Sequence, residues 1–388
     1  MASYEDLRAV YLELVELRAR LDRLGERSIA LEERIARIEA QVLNIAESLG
    51  YPMVLRDWSG RDVVLLKPPR RVVSLAPSVT ESVYYIGALE TLVGVDEFSN
   101  FPPVVVELRE KGVLRSIGGF WNPSIELVVA LRPDLVVGLA SVPSHVALRD
   151  IVSSYGIPVV LLGDRSLDEV IESLIVLGLA LGKHREAYEL AWRIRYAILE
   201  LREIVGKAGV SEKPSVALIV WIEPLWVAGS KTWQHDLMSV AGLRNVYEDL
   251  ESWQPVSPET LLKLNPSMIL LTTSHGYFSS SYLISYLEST LGRSAWQIAA
   301  VREGRVVELS GFYEDSLVRP SPRLLVAVLA LAVVGYPHVF GLNQTPTSLG
   351  DDFDLLSVIS RVVSPTTYEI VEYIVRARRA ALALAPAS

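Results

Sequence analysis

The chain contains no cysteine, which excludes disulfide bonds, thiolate metal ligands and cysteine nucleophiles. Long hydrophobic runs are also missing. The longest, Leu324–Tyr336, is shorter than the roughly 20 residues that a membrane-spanning helix needs, so it predicts a buried core helix. The N-terminus is charged from residue 5 onward and has the form neither of a signal peptide nor of a membrane span. If the protein works outside the cytoplasm, we expect its export signal to be absent from this chain.

Acidic residues outnumber basic ones, 46 to 37, and the net charge of −9 argues against nucleic acid as a general partner. The sequence has no Gly-x-Ser-x-Gly, Walker loop, Gly-x-Gly-x-x-Gly or His-Glu-x-x-His motif, so we expect no catalytic activity and no cofactor. The five histidines are scattered without helical ligand spacing, which disfavours a site for a bare metal ion. His235 and His275 lie near predicted loops, and two interpretations stay open for them: ordinary surface histidines, or ligands of a haem iron.

A regular apolar repeat fills residues 7–49. Its spacing alternates between three and four, and only Ser28 interrupts it, in the series Leu7, Val10, Leu14, Leu17, Leu21, Leu24, Leu31, Ile35, Ile38, Val42, Ile45 and Leu49. Such a heptad repeat predicts a coiled coil and therefore self-association through residues 7–49. The alternative is a single amphipathic helix that packs on the rest of the chain.

After Gly50 the sequence alternates between short β-rich runs and helical runs. Two extended runs around Trp58-Ser59-Gly60 predict a hairpin, and the strand–helix alternation that follows predicts parallel, helix-covered sheets. The segment from Ser166 to Gly206 has no proline and predicts one or two helices, the last running from His184 over roughly 33 Å. RVVELSG, from Arg305, is predicted to be the final strand.

One sequence element occurs twice. WNPSIELVVALRPDLVV begins at Trp121, and WQPVSPETLLKLNPSMILL begins at Trp253. The repeat predicts two α/β sandwich lobes joined by a long interdomain helix. The predicted domains are a coiled-coil helix (1–50), an N-terminal lobe (51–165), interdomain helices (166–208), a C-terminal lobe (209–342) and a helical tail (343–388), which either pads a lobe or joins the N-terminal helix.

Three serines lie where helices are predicted to begin. Ser124 and Ser257 suit N-cap positions, and each precedes by two residues a glutamate, Glu126 or Glu259, that the helix dipole favours in the first turn. Ser78, followed by a glutamate three residues later, predicts a capping box.

Five segments resemble one known family in sequence and order: RRVVSLAPSVTE, LVGVDEFSNFPP, the Trp…Ser-x-Glu element with LRPDLVV, WQPVSPETLLKLNP and RPSPRLLVAVLAL. They look like the class III substrate-binding proteins that serve ABC importers for cobalamin, ferric siderophores and haem. The resemblance covers about residues 53–342. It implies a bilobed fold with a ligand between the lobes, and one surface glutamate per lobe, here Glu126 and Glu259, that docks on the importer permease.

The candidate ligand-binding residues are mostly aromatic, because large aromatic side chains supply broad contact area to a flat macrocycle or chelate. Each is predicted to lie in a loop at the end of a strand or helix, and core packing is the alternative for each. They are Phe98, Phe120, Trp121, Trp226, Trp253, Tyr313 and Arg319. The arginine could pair with an anionic ligand or with Glu314 or Asp315.

Together these features predict an extracytoplasmic substrate-binding protein, periplasmic or at the cell surface, that delivers a small-molecule metal chelate to an ABC importer permease. Among cobalamin, ferric siderophore and haem, the tryptophan that begins each repeated element favours cobalamin, whose corrin ring is large. The alternative hypothesis is a structural or sensory protein that is assembled by the coiled coil and uses the same lobes to sense a ligand. An enzyme acting on a chelate is a third.

Overall fold

The computed structural model of the chain describes residues 37, 38, 41, 50–209 and 212–383. The heptad repeat lies almost entirely outside these residues, so the coiled coil stays a prediction. The described residues form two compact units. The first contains residues 50–163 and 172–192, and the second contains residues 164–171 and 193–383.

The first unit alternates strands and helices as predicted. Its strands are β1 (Met53–Arg56), β2 (Asp62–Leu65), β3 (Val72–Ser74), β4 (Leu92–Val95), β5 (Arg115–Ser116), β6 (Gly118–Gly119), β7 (Asn122–Pro123), β8 (Leu135–Leu139) and β9 (Val159–Leu162). Its helices are α1 (Pro77–Tyr85), α2 (Val104–Glu110), α3 (Ile125–Ala130) and α4 (Pro143–Ser153).

A parallel sheet forms the centre of the first unit. It has five strands in the order β5-β4-β3-β8-β9, and every pair in it is parallel. Every residue of β8 and β9 is buried, because helices cover both faces of a parallel sheet and its strands are therefore apolar throughout. Val73, Val136 and Leu161 lie in the core of this unit.

The predicted hairpin is confirmed. β1 and β2 pair antiparallel, and the Asp57 carboxylate fixes the turn by accepting hydrogen bonds from the Ser59 and Arg61 backbone N–H groups at 2.9 and 3.1 Å. Its second oxygen accepts the Leu161 N–H at 3.2 Å, so one carboxylate joins the turn to strand β9.

Two helices, α5 (Leu167–Leu181) and α6 (His184–Gly206), occupy the segment that was predicted to be helical. The second has the predicted bounds. The division between the two units falls within each of these helices.

The second unit contains the remaining elements. Its strands are β10 (Ser215–Trp221), β11 (Leu225–Ala228), β12 (Arg244–Asn245), β13 (Trp253–Val256), β14 (Met268–Thr272), β15 (Val306–Leu309) and β16 (Ser348–Leu349). Its helices are α7 (Trp233–Val240), α8 (Pro258–Leu264), α9 (Ser280–Leu291), α10 (Ala299–Arg302), α11 (Gly311–Val318), α12 (Leu324–Gly335), α13 (Leu355–Ile359) and α14 (Pro365–Ala383).

A seven-stranded mixed sheet organises this unit. The order is β13-β11-β10-β14-β15-β16, and β12 pairs with β10. Strand β11 runs opposite to the other six, since it pairs antiparallel with both β10 and β13. The turn between β10 and β11 has room only for Ile222–Pro224, and so short a connection requires an antiparallel return. β16 pairs parallel with β15, so the prediction that RVVELSG is the final strand was wrong.

Helix α12 is the predicted core helix, since every residue from Leu324 to Val334 is buried.

The tail packs on the second unit: Val371 and Ile374 of α14 are fully buried. The Ser364 N–H and hydroxyl donate to the Glu200 carboxylate on α6 at 2.7 and 3.0 Å.

The predicted capping box at Ser78 and Glu81 was wrong. Helix α1 begins at Pro77, and its N-cap is Ala76, whose side chain cannot cap. Proline is preferred at the first helical position because its φ is already helical and it lacks the N–H that would be left unpaired there. The proline therefore places Ser78 inside the helix, where it is buried together with Glu81.

Candidate functional site

A two-residue turn in the first unit presents two of the predicted ligand-binding residues. Phe120 and Trp121 connect β6 to β7, whose only pairs are Gly118–Pro123 and Gly119–Asn122. Trp121 is 69% exposed, and its ring meets the Phe120 ring edge to face at 4.6 Å. A tryptophan this exposed on a tight turn leaves most of its indole surface free to bury against a ligand.

Glycine suits both positions that precede the turn. Gly118 has a φ of +95°, which favours glycine. A Cβ at Gly119 would lie 2.5 Å from the Asn122 Oδ1 and 2.9 Å from the Glu97 Oε1, so no larger residue fits without a shift.

His145 of α4 lies beneath this turn and was not among the predicted site residues. Its imidazole is fully buried, accepts the Leu139 N–H at Nδ1 (3.1 Å) and contacts the Phe120 carbonyl oxygen through Nε2 (2.9 Å). Burial lowers the pKa of His145 to about 4, although the bond to the Phe120 carbonyl acts in the opposite direction. The sequence offered no signal for this role, because the partners of His145 are backbone groups six and 25 positions away.

Phe98 lies in the turn after β4, as predicted, and is 52% exposed. Its backbone N–H donates to the Asp96 carboxylate at 2.9 Å, which holds the turn while the ring faces solvent.

In the second unit, Trp226 lies on β11 and Trp253 on the neighbouring β13, so both are in strands instead of the predicted loops. Trp226 is opposite Pro255, and Trp253 is opposite Ala228. Since side chains alternate along a strand, this register places the two tryptophans on the same face. The Trp253 ring also contacts the buried Trp233 ring edge to face at 5.0 Å.

A second aromatic surface was missed by the sequence analysis. Trp221, at the end of β10, is 42% exposed and stacks on Tyr277, which is 72% exposed, at 5.9 Å and 10°. Buried Phe278 supports both rings edge to face at 4.8 and 4.9 Å. The stacked pair joins a strand end to a loop more than 50 residues later, so sequence spacing alone does not indicate it.

Tyr313 and Arg319 differ from their expected environment. Tyr313 lies inside α11, is buried, and donates its hydroxyl to the Phe353 carbonyl at 2.7 Å. Arg319 is also buried and follows α11 directly. It pairs with Asp315 at 3.0 Å, which was one of the two alternatives predicted for this arginine. Asp315 also lies 3.6 Å from the Arg323 guanidinium. Contact of Tyr313 or Arg319 with a ligand stays a prediction.

The two first-turn glutamates have matching local structures. Ser124 caps α3 by accepting the Leu127 N–H at 3.3 Å, and Ser257 caps α8 by accepting the Thr260 N–H at 3.3 Å, which confirms both predicted N-caps. Glu126 and Glu259 are exposed. The pKa of Glu126 is lowered by its own backbone N–H and by the Ser124 hydroxyl, and that of Glu259 by the Ser257 hydroxyl and then its own backbone N–H. Each unit therefore presents an ionised carboxylate on a capped helix.

The part of the chain that the structure describes offers neither a metal site nor a membrane span. Within it, no group of three or more His, Asp or Glu side chains has the arrangement of a metal site. Over the same residues, no helix combines the length and the apolar character needed to cross a membrane.

The succession of a parallel sheet, two long helices and a second, mixed sheet is the fold of the class III periplasmic binding proteins. The family model described as periplasmic binding protein matches residues 72–311, and the chain belongs to this family. It is therefore a substrate-binding protein of ABC transporters, from a family that acts outside the cytoplasm, and its partners are a permease and a small molecule.

Individual relatives agree with this assignment. The chain is 29% identical to the ABC transporter substrate-binding lipoprotein YvrC of Bacillus subtilis (strain 168) over 296 residues, which are 75% of this chain and 87% of YvrC. It is 27% identical to the vitamin B12-binding protein of Pectobacterium carotovorum over 67% of this chain and 86% of that protein. A periplasmic haem-binding protein from Pseudomonas aeruginosa superposes with a TM-score of 0.59 at 26% identity, over 69% of this chain and 93% of that structure.

Proposed function

We propose that the protein binds cobalamin, or a related metal chelate such as haem or a ferric siderophore, and delivers it to an ABC importer. The observation that carries this proposal is the set of exposed tryptophans on fixed strands and turns: Trp121 in the first unit, and Trp221 and Trp226 in the second. Aromatic rings on a rigid scaffold give a flat, partly apolar ligand a large contact area at little cost in side-chain entropy.

The relatives support the same ligand classes. One of them is a vitamin B12-binding protein, and a structural neighbour at 26% identity is a haem-binding protein. Cobalamin is the first choice among these chelates, because a corrin ring is large and offers an extended flat surface to an exposed indole.

Glu126 and Glu259 are proposed to dock on the permease. Their exposure and lowered pKa values keep both carboxylates charged and accessible at neutral pH. Arginine is the side chain best suited to a partner surface, since its guanidinium binds a carboxylate through two parallel hydrogen bonds.

Mass spectrometry of the protein isolated from its native source tests the ligand class. Under non-denaturing conditions we expect the added mass of a corrinoid, a haem or a ferric siderophore, and the same mass after release, because the protein is proposed to transport its ligand without changing it. Retention of a sugar, a peptide or a bare metal ion would contradict the proposal.

Self-association through residues 7–49 is part of the proposal, and of these residues the structure describes only 37, 38 and 41. The heptad repeat supports it. Light scattering of the full chain is expected to show an oligomer, and a version that starts at Tyr51 is expected to be a monomer. Two monomers would mean that the repeat packs on its own chain.

The proposed location is periplasmic or at the cell surface, where the protein would meet its permease. The lipoprotein named among its relatives supports this location.

A further inference from the structure

The ionisation and tautomer of His145 follow from its contacts. The Leu139 N–H is a donor, so the Nδ1 atom that it contacts at 3.1 Å has to be an unprotonated acceptor. The proton of a neutral imidazole then lies on Nε2, which donates to the Phe120 carbonyl oxygen at 2.9 Å. One buried ring therefore joins the end of β8 to the tip of the β6–β7 turn.

The turn needs such a support. β6 and β7 pair at two positions only, and one of the four paired residues is Pro123, which has no N–H to donate. Two glycines precede the tip and increase the entropy that ordering costs. A hairpin this short is not stable by itself, so contacts with the rest of the unit have to hold it.

Ring contacts link the imidazole to Trp121 through the Phe120 ring. The ring meets the Phe120 ring edge to face at 5.2 Å and 84°, and the Phe120 ring meets the Trp121 ring in the same way at 4.6 Å. Space for the imidazole comes from Gly138, where a Cβ would lie 3.2 Å from Nδ1 and 3.0 Å from the Leu75 Cδ1.

We propose that His145 is a positioning residue that fixes the Phe120–Trp121 turn and so prepares Trp121 for the ligand. The step from a fixed turn to ligand affinity rests on the proposed function. Its physical basis is preorganisation: an indole that is already held in place loses less conformational entropy when the ligand binds.

Two substitutions of His145 with amide side chains can each keep one of the two hydrogen bonds of the imidazole and lose the other. In His145→Asn, the amide oxygen can take the place of Nδ1 and accept the Leu139 N–H, but the side chain is too short to reach the Phe120 carbonyl. In His145→Gln, the amide nitrogen can take the place of Nε2 and donate to that carbonyl. The variants carry the same functional group and both lack the ring. The Asn variant loses the bond to the Phe120 carbonyl and the Gln variant loses the bond to the Leu139 N–H, so the comparison shows which of the two bonds holds the turn.

The first measurement needs no ligand. The full chain is labelled with 5-fluorotryptophan, and the Trp121 resonance is assigned with Trp121→Phe. We expect the Gln variant to keep a single Trp121 line close to that of the wild type, and the Asn variant to shift or broaden it. Amide hydrogen exchange across residues 117–124 is expected to be at least about tenfold faster in the Asn variant than in the Gln variant. Equal spectra and equal exchange would overturn the proposal.

The second measurement is a titration with cyanocobalamin. We expect the Asn variant to bind at least about tenfold more weakly than the Gln variant, which is about 1.4 kcal/mol. Equal affinities would overturn the link between the turn and the ligand. If the wild type binds neither cyanocobalamin, haemin nor a ferric siderophore, the proposed function fails, while the fluorine spectra still decide the role of His145.

If neither variant folds, the wild type still provides a test. Nitrogen NMR of the His145 ring is expected to show a protonated Nε2 and an unprotonated Nδ1 at pH 7. The opposite tautomer would overturn the proposal, because it cannot donate to the Phe120 carbonyl.

Discussion

Acid should destabilise the first unit through His145. Burial lowers the pKa of this histidine from 6.5 to about 4 in the folded protein. Above pH 6.5 the imidazole is neutral in both the folded and the unfolded chain, so it makes no pH-dependent contribution. As the pH falls from 6.5 to 4, the unfolded chain binds a proton that the folded chain does not, and stability is lost.

The size of the loss follows from the two pKa values. Each pH unit between them removes about 1.4 kcal/mol from the free energy of unfolding, so the whole interval removes about 3 kcal/mol. This is a large part of the roughly 5–15 kcal/mol that stabilises a typical domain.

The matched control is His145→Gln, which has no titrating group at this position. Free energies of unfolding are measured in urea at pH 7, 5 and 4, and hydrogen exchange of β8 and α4 reports on the first unit alone. Other titrating groups affect both proteins and cancel in the difference. We expect the stability of the wild type relative to the variant to fall by about 3 kcal/mol between pH 7 and pH 4. A difference that does not change with pH would refute the reasoning.

Three further predictions concern the ligand, the permease and the tail. Replacing Trp121 or Trp253 with Ala should weaken binding of the ligand by a few kcal/mol each, measured by titration, if these residues are anchors; unchanged affinities would exclude that role. Changing Glu126 and Glu259 together to Gln should leave ligand affinity and melting temperature nearly level, because both side chains are exposed, and should reduce importer-dependent uptake. Full uptake would contradict docking. Replacing fully buried Ile374 with Ala should destabilise the second unit by about 2–5 kcal/mol in urea unfolding, and a loss below about 0.5 kcal/mol would show that the tail is not part of its core.

Features that depend on local chemistry were predictable from the sequence. Ser124 and Ser257 cap their helices because an N-cap needs only a hydroxyl and the free N–H groups of the next turn. The strands of the first sheet and the apolar helix α12 were predictable for a similar reason, since residues buried on all sides form continuous apolar runs.

Features that depend on two competing local signals, or on contacts between residues far apart in the chain, were not predictable. Ser78 fits a capping box, but the adjacent Pro77 is the stronger signal for the helix start. Strand β16 has only two residues and pairs because the fold brings it beside β15. His145 and the stacked pair of Trp221 and Tyr277 obtain their roles from partners far away in the chain.

The most direct test of the central claim is a titration of the full chain with cyanocobalamin, haemin and a ferric siderophore while tryptophan emission is followed. These ligands absorb visible light, so binding beside exposed indoles should quench the emission. We predict that at least one, with cyanocobalamin favoured, binds with a Kd below about 10 μM, an affinity of roughly −7 kcal/mol. If none of the three binds below that concentration, the proposed ligand class is contradicted.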